Sequence, residues 1–295
     1  MKDNASILAL YAVTPCHAGS GSSTGIVDLP IQRERHTNWP LIQASGVKGA
    51  LRAHFHRFKG RIQEKPQAET FEQITTELIF GAESQKGDHA GSLSIGDAKI
   101  LAFPMRSNIA PFVWITCPAV LKRLNRDLAL IGEKEIDLKP LADLDDVAAK
   151  WIAGKASDAP VLLEDMEVKP VGDFSLGKGK GAQLFAKIER LLVVSDTVFG
   201  YGVTHCTQVM AQIKIDQASG TTQDGSLRYQ EELPADTLMY SIIFWGNSRD
   251  GKADDKASLQ ASTIRNYIEK EVVAGHLQIG GDETLGRGIF AVEWL

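Results

Sequence analysis

The run CHAGSGSSTGIVDLPIQRERHTNWPLIQASGVKGALR, residues 16 to 52, carries the change of pattern from which the fold can be read. Its first part cannot sustain a regular element for long, because Gly19, Gly21, Gly25, Pro30 and Pro40 interrupt it among repeated serines. A structureless stretch of that length inside a compact domain is uncommon and is usually functional or disordered. From Ser45 the pattern changes: Val47, Leu51, Phe55 and Phe58 recur at spacings of four and three, the inward stripe of a helix. The Ser45 hydroxyl is placed to cap its first turn. Lys48 and Arg52 lie four apart on a neighbouring face, with Lys59 further along it. Upstream, SILALYAV at 6 to 13 is a short apolar run without a polar helical face and reads as a buried strand. Strand, long glycine-rich loop and helix in this order put Lys48 near a helix N-terminus, where free amides and the macrodipole favour phosphate.

Working outward, residues 66 to 79, 118 to 131 and 256 to 274 read as helices. Residues 92 to 103, 111 to 117, 237 to 245 and 287 to 294 read as strands. The flanks VMAQIKID and SLRYQEEL alternate around the turn-rich centre QASGTTQDG, which predicts a β-hairpin over about 209 to 232. Insertions are expected near 14 to 43, near 133 to 158, where the chain is acidic, and at the SLGKGKG loop, 175 to 181. No internal repeat and no clear linker divide residues 1 to 295, so one elaborated α+β domain is expected.

Composition narrows the class. With 295 residues, 43% of them hydrophobic, and a mean hydropathy of -0.11, the chain can bury a core without disulfides. No apolar run approaches the ~20 residues that cross a bilayer, and MKDNASILALYAVTP lacks the parts of a signal peptide. A cytoplasmic protein with no membrane partner is expected. Three cysteines, Cys16, Cys117 and Cys206, are too few and too scattered for a disulfide framework or a zinc knuckle, so no protein-held metal site is expected. The net charge of -5 argues against a free-standing nucleic-acid binder. Between Asp28 and Arg61, however, seven Lys or Arg stand against two acids, as expected if one face holds a polyanion. An ordinary solvated charged face has the same composition.

The densest polar sequence is HAGSGSSTGIVDLPIQRERHT, 17 to 37, where two carboxylates, Asp28 and Glu34, stand among glycines, serines, basic residues and two histidines. Glycine allows close backbone approach, and Arg33 with Arg35 can neutralise phosphates. Asp28 can orient a ribose 2'-hydroxyl, take its proton, or hold a divalent ion on a phosphate. It can equally be a turn residue or a cap.

Residues 16 to 52 closely resemble the N-terminal signature of the fourth-subunit family of Cmr, the type III-B CRISPR effector. The resemblance continues through SDTVFGYGV (195 to 203) and LRYQEELPADTLMYS (227 to 241) to GGDETLGRGIF near the end. It implies a RAMP-superfamily protein with a ferredoxin-like, RRM-related palm, long inserted loops and a thumb hairpin, which maps to 209 to 232. It further implies a filament of copies along guide RNA beside other Cmr subunits, cleaving target single-stranded RNA, with a loosely held divalent metal, magnesium, needed for cleavage. The aspartate of the family's VDLPIQR segment, required for cleavage, falls on Asp28. The lysine of its S-x-x-K-G-x-x-R segment, which contacts guide RNA, falls on Lys48, with Arg52 one turn on and Ser45 one turn before. His17 is a further RNA-binding candidate with Arg33 and Arg35, and Glu231 or Glu232 falls where the family carries polar residues.

Rival readings are a scaffold without catalysis, in which Asp28 only shapes the loop, and a guide-processing endonuclease centred on His17 or His36. A small-molecule enzyme with an anion-binding loop is a third. GGDETLGRG at 280 to 288 fits neither G-x-G-x-x-G nor the P-loop pattern and reads as a turn packing the last strand.

Overall fold

In chain order the elements are β1 (Ala5–Ala12), β2 (Leu41–Ile42), α1 (Ala44–Ile62), α2 (Thr76–Phe80), β3 (Leu93–Ile95), β4 (Ala98–Arg106), β5 (Phe112–Thr116), α3 (Pro118–Ile131) and β6 (Ala148–Ala153). They continue with β7 (Val161–Leu163), β8 (Met166–Asp173), α4 (Lys180–Gln183), β9 (Leu191–Val193), α5 (Asp196–His205), β10 (Gln208–Gln212), β11 (Arg228–Glu232) and β12 (Leu238–Trp245). The last are α6 (Ala261–Tyr267), running into a π-helical turn (Ile268–Val272), β13 (His276–Gln278) and β14 (Ile289–Trp294). The structure, a computed structural model, describes residues 4–62, 75–81, 90–155, 158–248 and 259–295, the side chains of 59–62 excepted. Most of the helix expected over 66 to 79, the start of that over 256 to 274, and the side chains of Lys59 and Arg61 lie outside the described residues.

This is a mixed α+β fold around a large mixed sheet. Twelve of the described strands share that sheet, whose main path runs β13-β14-β1-β12-β4-β5-β9-β6-β8-β7, while β10 and β11 pair apart from it. β1 is nearly all buried and is paired antiparallel on both edges, with β12 and β14, which is why its sequence is a continuous apolar run. β4 joins the two halves of the sheet. Its first residues pair with β2 and β12 and its last four with β5; beyond β5 parallel pairs alternate with antiparallel ones. The inward stripe of α1 is as expected, with Val47, Leu51 and Phe55 buried and the Phe55 ring edge-on to Phe80 and Tyr267.

The departures from expectation have physical causes. Helix α1 begins at Ala44, and Ser45 stands exposed inside its first turn. The first amide, Ala44 N, donates to Asp97 Oδ1 at 2.7 Å, so the helix end is met from another segment and Ser45 is not the cap. Asp97 lies between β3 and β4, where the single strand expected over 92 to 103 is broken. The acidic stretch after α3 is packed rather than free: Ile136 and Leu141 are buried, and the Asn125 side chain pairs with both Ile136 N and Ile136 O at 2.8 Å. It leads into β6, held between β9 and β8 with Trp151 in the core. The SLGKGKG loop leans on α3, with Lys180 at 3.0 Å from Glu133. Helix α5 was not expected. Its local signal is the Ser195 hydroxyl, which accepts from Val198 N at 3.2 Å.

Candidate nucleic-acid interface

The long loop from Thr14 to Gln43 is folded on itself, which corrects its reading as structureless. Its backbone forms a narrow ribbon in which Gln32 N donates to Ala18 O (2.8 Å), Ser20 N to Pro30 O (3.0 Å) and Ser23 N to Asp28 O (2.8 Å). The Gln32 side chain closes it, donating to Gly19 O at 3.1 Å and accepting from Gln43 N at 2.8 Å. Since Gln43 precedes α1, one glutamine ties the loop to the start of the helix that carries Lys48.

The ribbon lies along the free edge of β11, where successive odd residues present both backbone groups outward. Tyr229 N donates to Asp28 Oδ2 at 2.7 Å. Leu29 then exchanges bonds with Tyr229 O (3.0 Å) and Glu231 N (2.9 Å), and Cys16 exchanges bonds with Leu233 at 2.9 and 2.8 Å. Between them His17 Nδ1 lies 2.7 Å from Glu231 O. A carbonyl only accepts, so Nδ1 carries the proton and Nε2 is left to face the loop. A Cβ on Gly19 would stand 2.7 Å from that Nε2. Asp28 and His17 thus share one strand edge, two residues of β11 apart, and Asp28 Oδ1 has no hydrogen-bond partner among the described residues.

Two buried carboxylates fix the base of the hairpin. Glu231 accepts from Arg33 Nη2 at 2.5 Å, Thr207 Oγ1 at 2.7 Å and Ile31 N at 3.0 Å. Glu232 accepts from Arg287 Nε at 3.0 Å, and Gln230 donates to Asp282. Asp282 and Arg287 belong to the glycine-rich tail between β13 and β14, which also bonds the ribbon through Gly281 N to His17 O at 2.9 Å. The tail therefore packs the last strand, as expected, and braces the hairpin as well. Cys16, beneath this junction, has its thiol pushed up to about 12 by burial and then by Glu232, which keeps it protonated at neutral pH.

The basic candidates divide. Arg33 points inward, its side chain 15% exposed, with Nη1 donating to Asn38 O (2.7 Å) and Val203 O (2.9 Å) as well as Nη2 to Glu231. Its charge is set on a protein carboxylate, so the structure gives it a holding part in the loop instead of an outward phosphate contact. Arg35 is exposed and Lys48 half-buried, and neither has a side-chain partner among the described residues. Arg52 donates to Gly81 O at 3.0 Å, and Arg57 forms a two-pronged ion pair with Glu283 of the tail at 2.5 and 2.9 Å. His54 lies 2.9 Å from Val272 O, and His36 is exposed. The sequence reading singled out Asp28 and His17 as candidates but not that β11 aligns them. Nor did it identify Asp282 and Arg287 as hairpin supports, for which only the paired acids of QEE hinted at buried partners.

Among the described residues no three His, Cys, Asp or Glu converge as metal ligands, and no helix is long and apolar enough to cross a membrane. The family model of the RAMP superfamily matches residues 9–291. The chain is 36% identical over 299 residues to the CRISPR system Cmr endoribonuclease Cmr4 of Pyrococcus furiosus, covering 97% of this chain and 94% of that one. The crystal structure of oligomeric Cmr4 from the same organism superposes with a TM-score of 0.66 at 28% identity, over 99% of this chain and 97% of the other. A cryo-EM structure of type III-B Cmr-beta bound to cognate target RNA contains a chain of the same fold, with a TM-score of 0.71 at 21% identity over 98% and 96% of the two chains.

Proposed function

The chain belongs to the RAMP superfamily and to the Cmr4 family within it, and on that premise we propose that it is a guide-RNA-binding backbone subunit that cuts target RNA in a type III-B effector. The observation that carries the catalytic part is Asp28, a loop carboxylate held by one oxygen on the edge of the hairpin strand with its other oxygen unpartnered among the described residues. Copies of the chain, other Cmr subunits, guide RNA and single-stranded target RNA are its partners in this reading, in the cytoplasm. The strand order β14-β1-β12-β4, with α1 between β1 and β4 and α6 between β12 and β14 along the chain, supports a ferredoxin-like palm. The β10-β11 hairpin outside the main sheet supports a thumb. The start of α1, with Ser45, Lys48 and Arg52, and the exposed Arg35 form the guide-facing surface, where RNA is read by backbone and shape.

The thumb displaces one target nucleotide from the duplex, freeing it to take the in-line geometry that a stacked A-form helix denies. The 2'-oxygen then attacks the adjacent phosphorus, the bond to the 5'-oxygen breaks, and the products end in a 2',3'-cyclic phosphate and a 5'-hydroxyl. Asp28 accepts the hydrogen bond of the attacking hydroxyl and takes its proton, and water protonates the leaving oxygen. A single carboxylate does not fit a resident ion. Magnesium is proposed only for the complex with RNA, whose phosphates supply oxygen ligands, and no step above rests on it.

Asp28→Ala in the assembled effector should reduce single-turnover target cleavage by about 10²-fold or more, the usual worth of a positioned proton acceptor. Guide and target binding should stay nearly unchanged. Cleavage at the wild-type rate would leave the scaffold reading. Sequencing RNA that purifies with the chain from its host tests the class itself: CRISPR-derived guides support it, and random or absent RNA refutes it.

A further inference from the structure

Side chains alternate along β11, so Arg228 and Glu232 share one face while Tyr229 and Glu231 occupy the other. The Arg228 face looks across an open groove of about 770 Å³ at the tail residues Leu285 and Arg287. Three large aliphatic side chains around it are about half exposed or more: Ile213 at 51%, Leu227 at 54% and Leu285 at 64%. Lys214, Arg228 and Arg287 bring three positive charges against the one carboxylate of Glu232. That carboxylate lines the groove but is itself only 2% exposed. Its Oε1 is taken by Arg287 and its Oε2 is buried with no hydrogen-bond partner among the described residues. Closed off in this way, Glu232 offers the groove no free acceptor, and the groove's accessible charge is positive.

We propose that this groove receives the base of the target nucleotide displaced by the hairpin, an inference that rests on the function proposed above. Each feature has its counterpart in an unstacked nucleotide. The aliphatic side chains offer a surface on which a base can stack, and the excess of cations meets the phosphates on either side. A neighbouring protein segment could cover the aliphatic residues, but the surplus of positive charge favours a polyanion. Leu285 and Leu227 are then positioning residues: they hold the displaced nucleotide so that its sugar and phosphate stay in line on the far side of β11.

The test uses the assembled effector and target RNAs carrying an abasic residue at the displaced position. With intact target, Leu285→Ser should slow cleavage at that position about tenfold, or roughly 1.4 kcal/mol of barrier, with target affinity and assembly unchanged. The abasic target should slow wild-type cleavage by a similar factor. The two changes together should be no worse than either alone, since both remove the same contact. Full-rate cutting of the abasic target, or multiplying effects, overturns the proposal while leaving guided cleavage in place. Loss of subunit assembly in Leu285→Ser with normal cutting of the abasic target assigns the groove to a neighbouring copy and also overturns it. Failure of the wild-type complex to cut intact target, by contrast, sinks the functional reading itself.

Discussion

Arg33 and Arg35 stand two positions apart with the same charge and opposite surroundings. Arg33 holds the buried Glu231, at 7% exposure, and Arg33→Ala would leave that carboxylate without its cation. Stripping one partner from a buried pair costs about 3 kcal/mol or more, so urea denaturation should show a marked loss of stability. Arg35→Ala should change stability by no more than about 0.5 kcal/mol yet reduce the salt slope of guide binding by about 1. An unchanged slope would turn Arg35 away from RNA. Gly19 is a third case. A methyl group there meets His17 Nε2, so Gly19→Ala should push the ring off Glu231 O and weaken RNA binding with little change in thermal midpoint. Unchanged RNA affinity would show that the ring's position does not matter to binding.

At the scale of the element, the hairpin can be edited in register. Gln212 faces Arg228, and continuing the ladder sets Lys214 opposite Ser226, whose hydroxyl accepts from Lys214 N. Replacing Ile215 through Gly225 by Asn-Gly therefore closes the strands on a type I' turn at little entropic cost. Assembly on guide RNA should persist and target cleavage should fall at least about tenfold; unchanged cut sites and rate would locate the displacing element elsewhere. The tip itself is acid-sensitive. Asp216 accepts from Ser219 N, Ser219 Oγ and Ala218 N, and these bonds hold its carboxyl below the usual carboxylate range. A depressed folded value means the contribution is present above the unfolded value and lost as pH falls through the folded one. Amide protection at 218 and 219 should thus drop below about pH 4, read by hydrogen exchange corrected for intrinsic rates, and not in Asp216→Asn.

Over the whole molecule, β4 binds both halves of the sheet, and Phe103 within it is fully buried. Phe103→Ala should cost about 3–5 kcal/mol and lower the thermal midpoint of one shared transition; two separate transitions would show that the halves unfold independently. How much of this was legible in the sequence follows the range of each signal. β1 and α3 were readable because an apolar run, and a Pro118 start with a left-handed Gly132 stop, are local marks. The α1 cap was misread because its carboxylate comes from 53 residues away. β6 was missed because short strands gain their identity only from the partners they meet. Asp28 is singled out as a candidate by its setting and its family resemblance. That Tyr229, 201 residues further on, would hold it was written in no local pattern.

The dependence of Asp28 on the β11 backbone sets the unit in which this protein can be exchanged with a relative. Transplanting the Asp28 loop alone would carry the carboxylate but not the amide that aims it, and transplanting the hairpin alone would strand His17 and Arg33. Residues 14–43, 208–233 and 280–288 are knit together by His17, Glu231, Gln230 and Arg287, and they form one cassette of three discontinuous pieces. A chimera that respects that cassette should inherit the donor's cutting behaviour whole, and one that splits it should bind RNA with its blade unset.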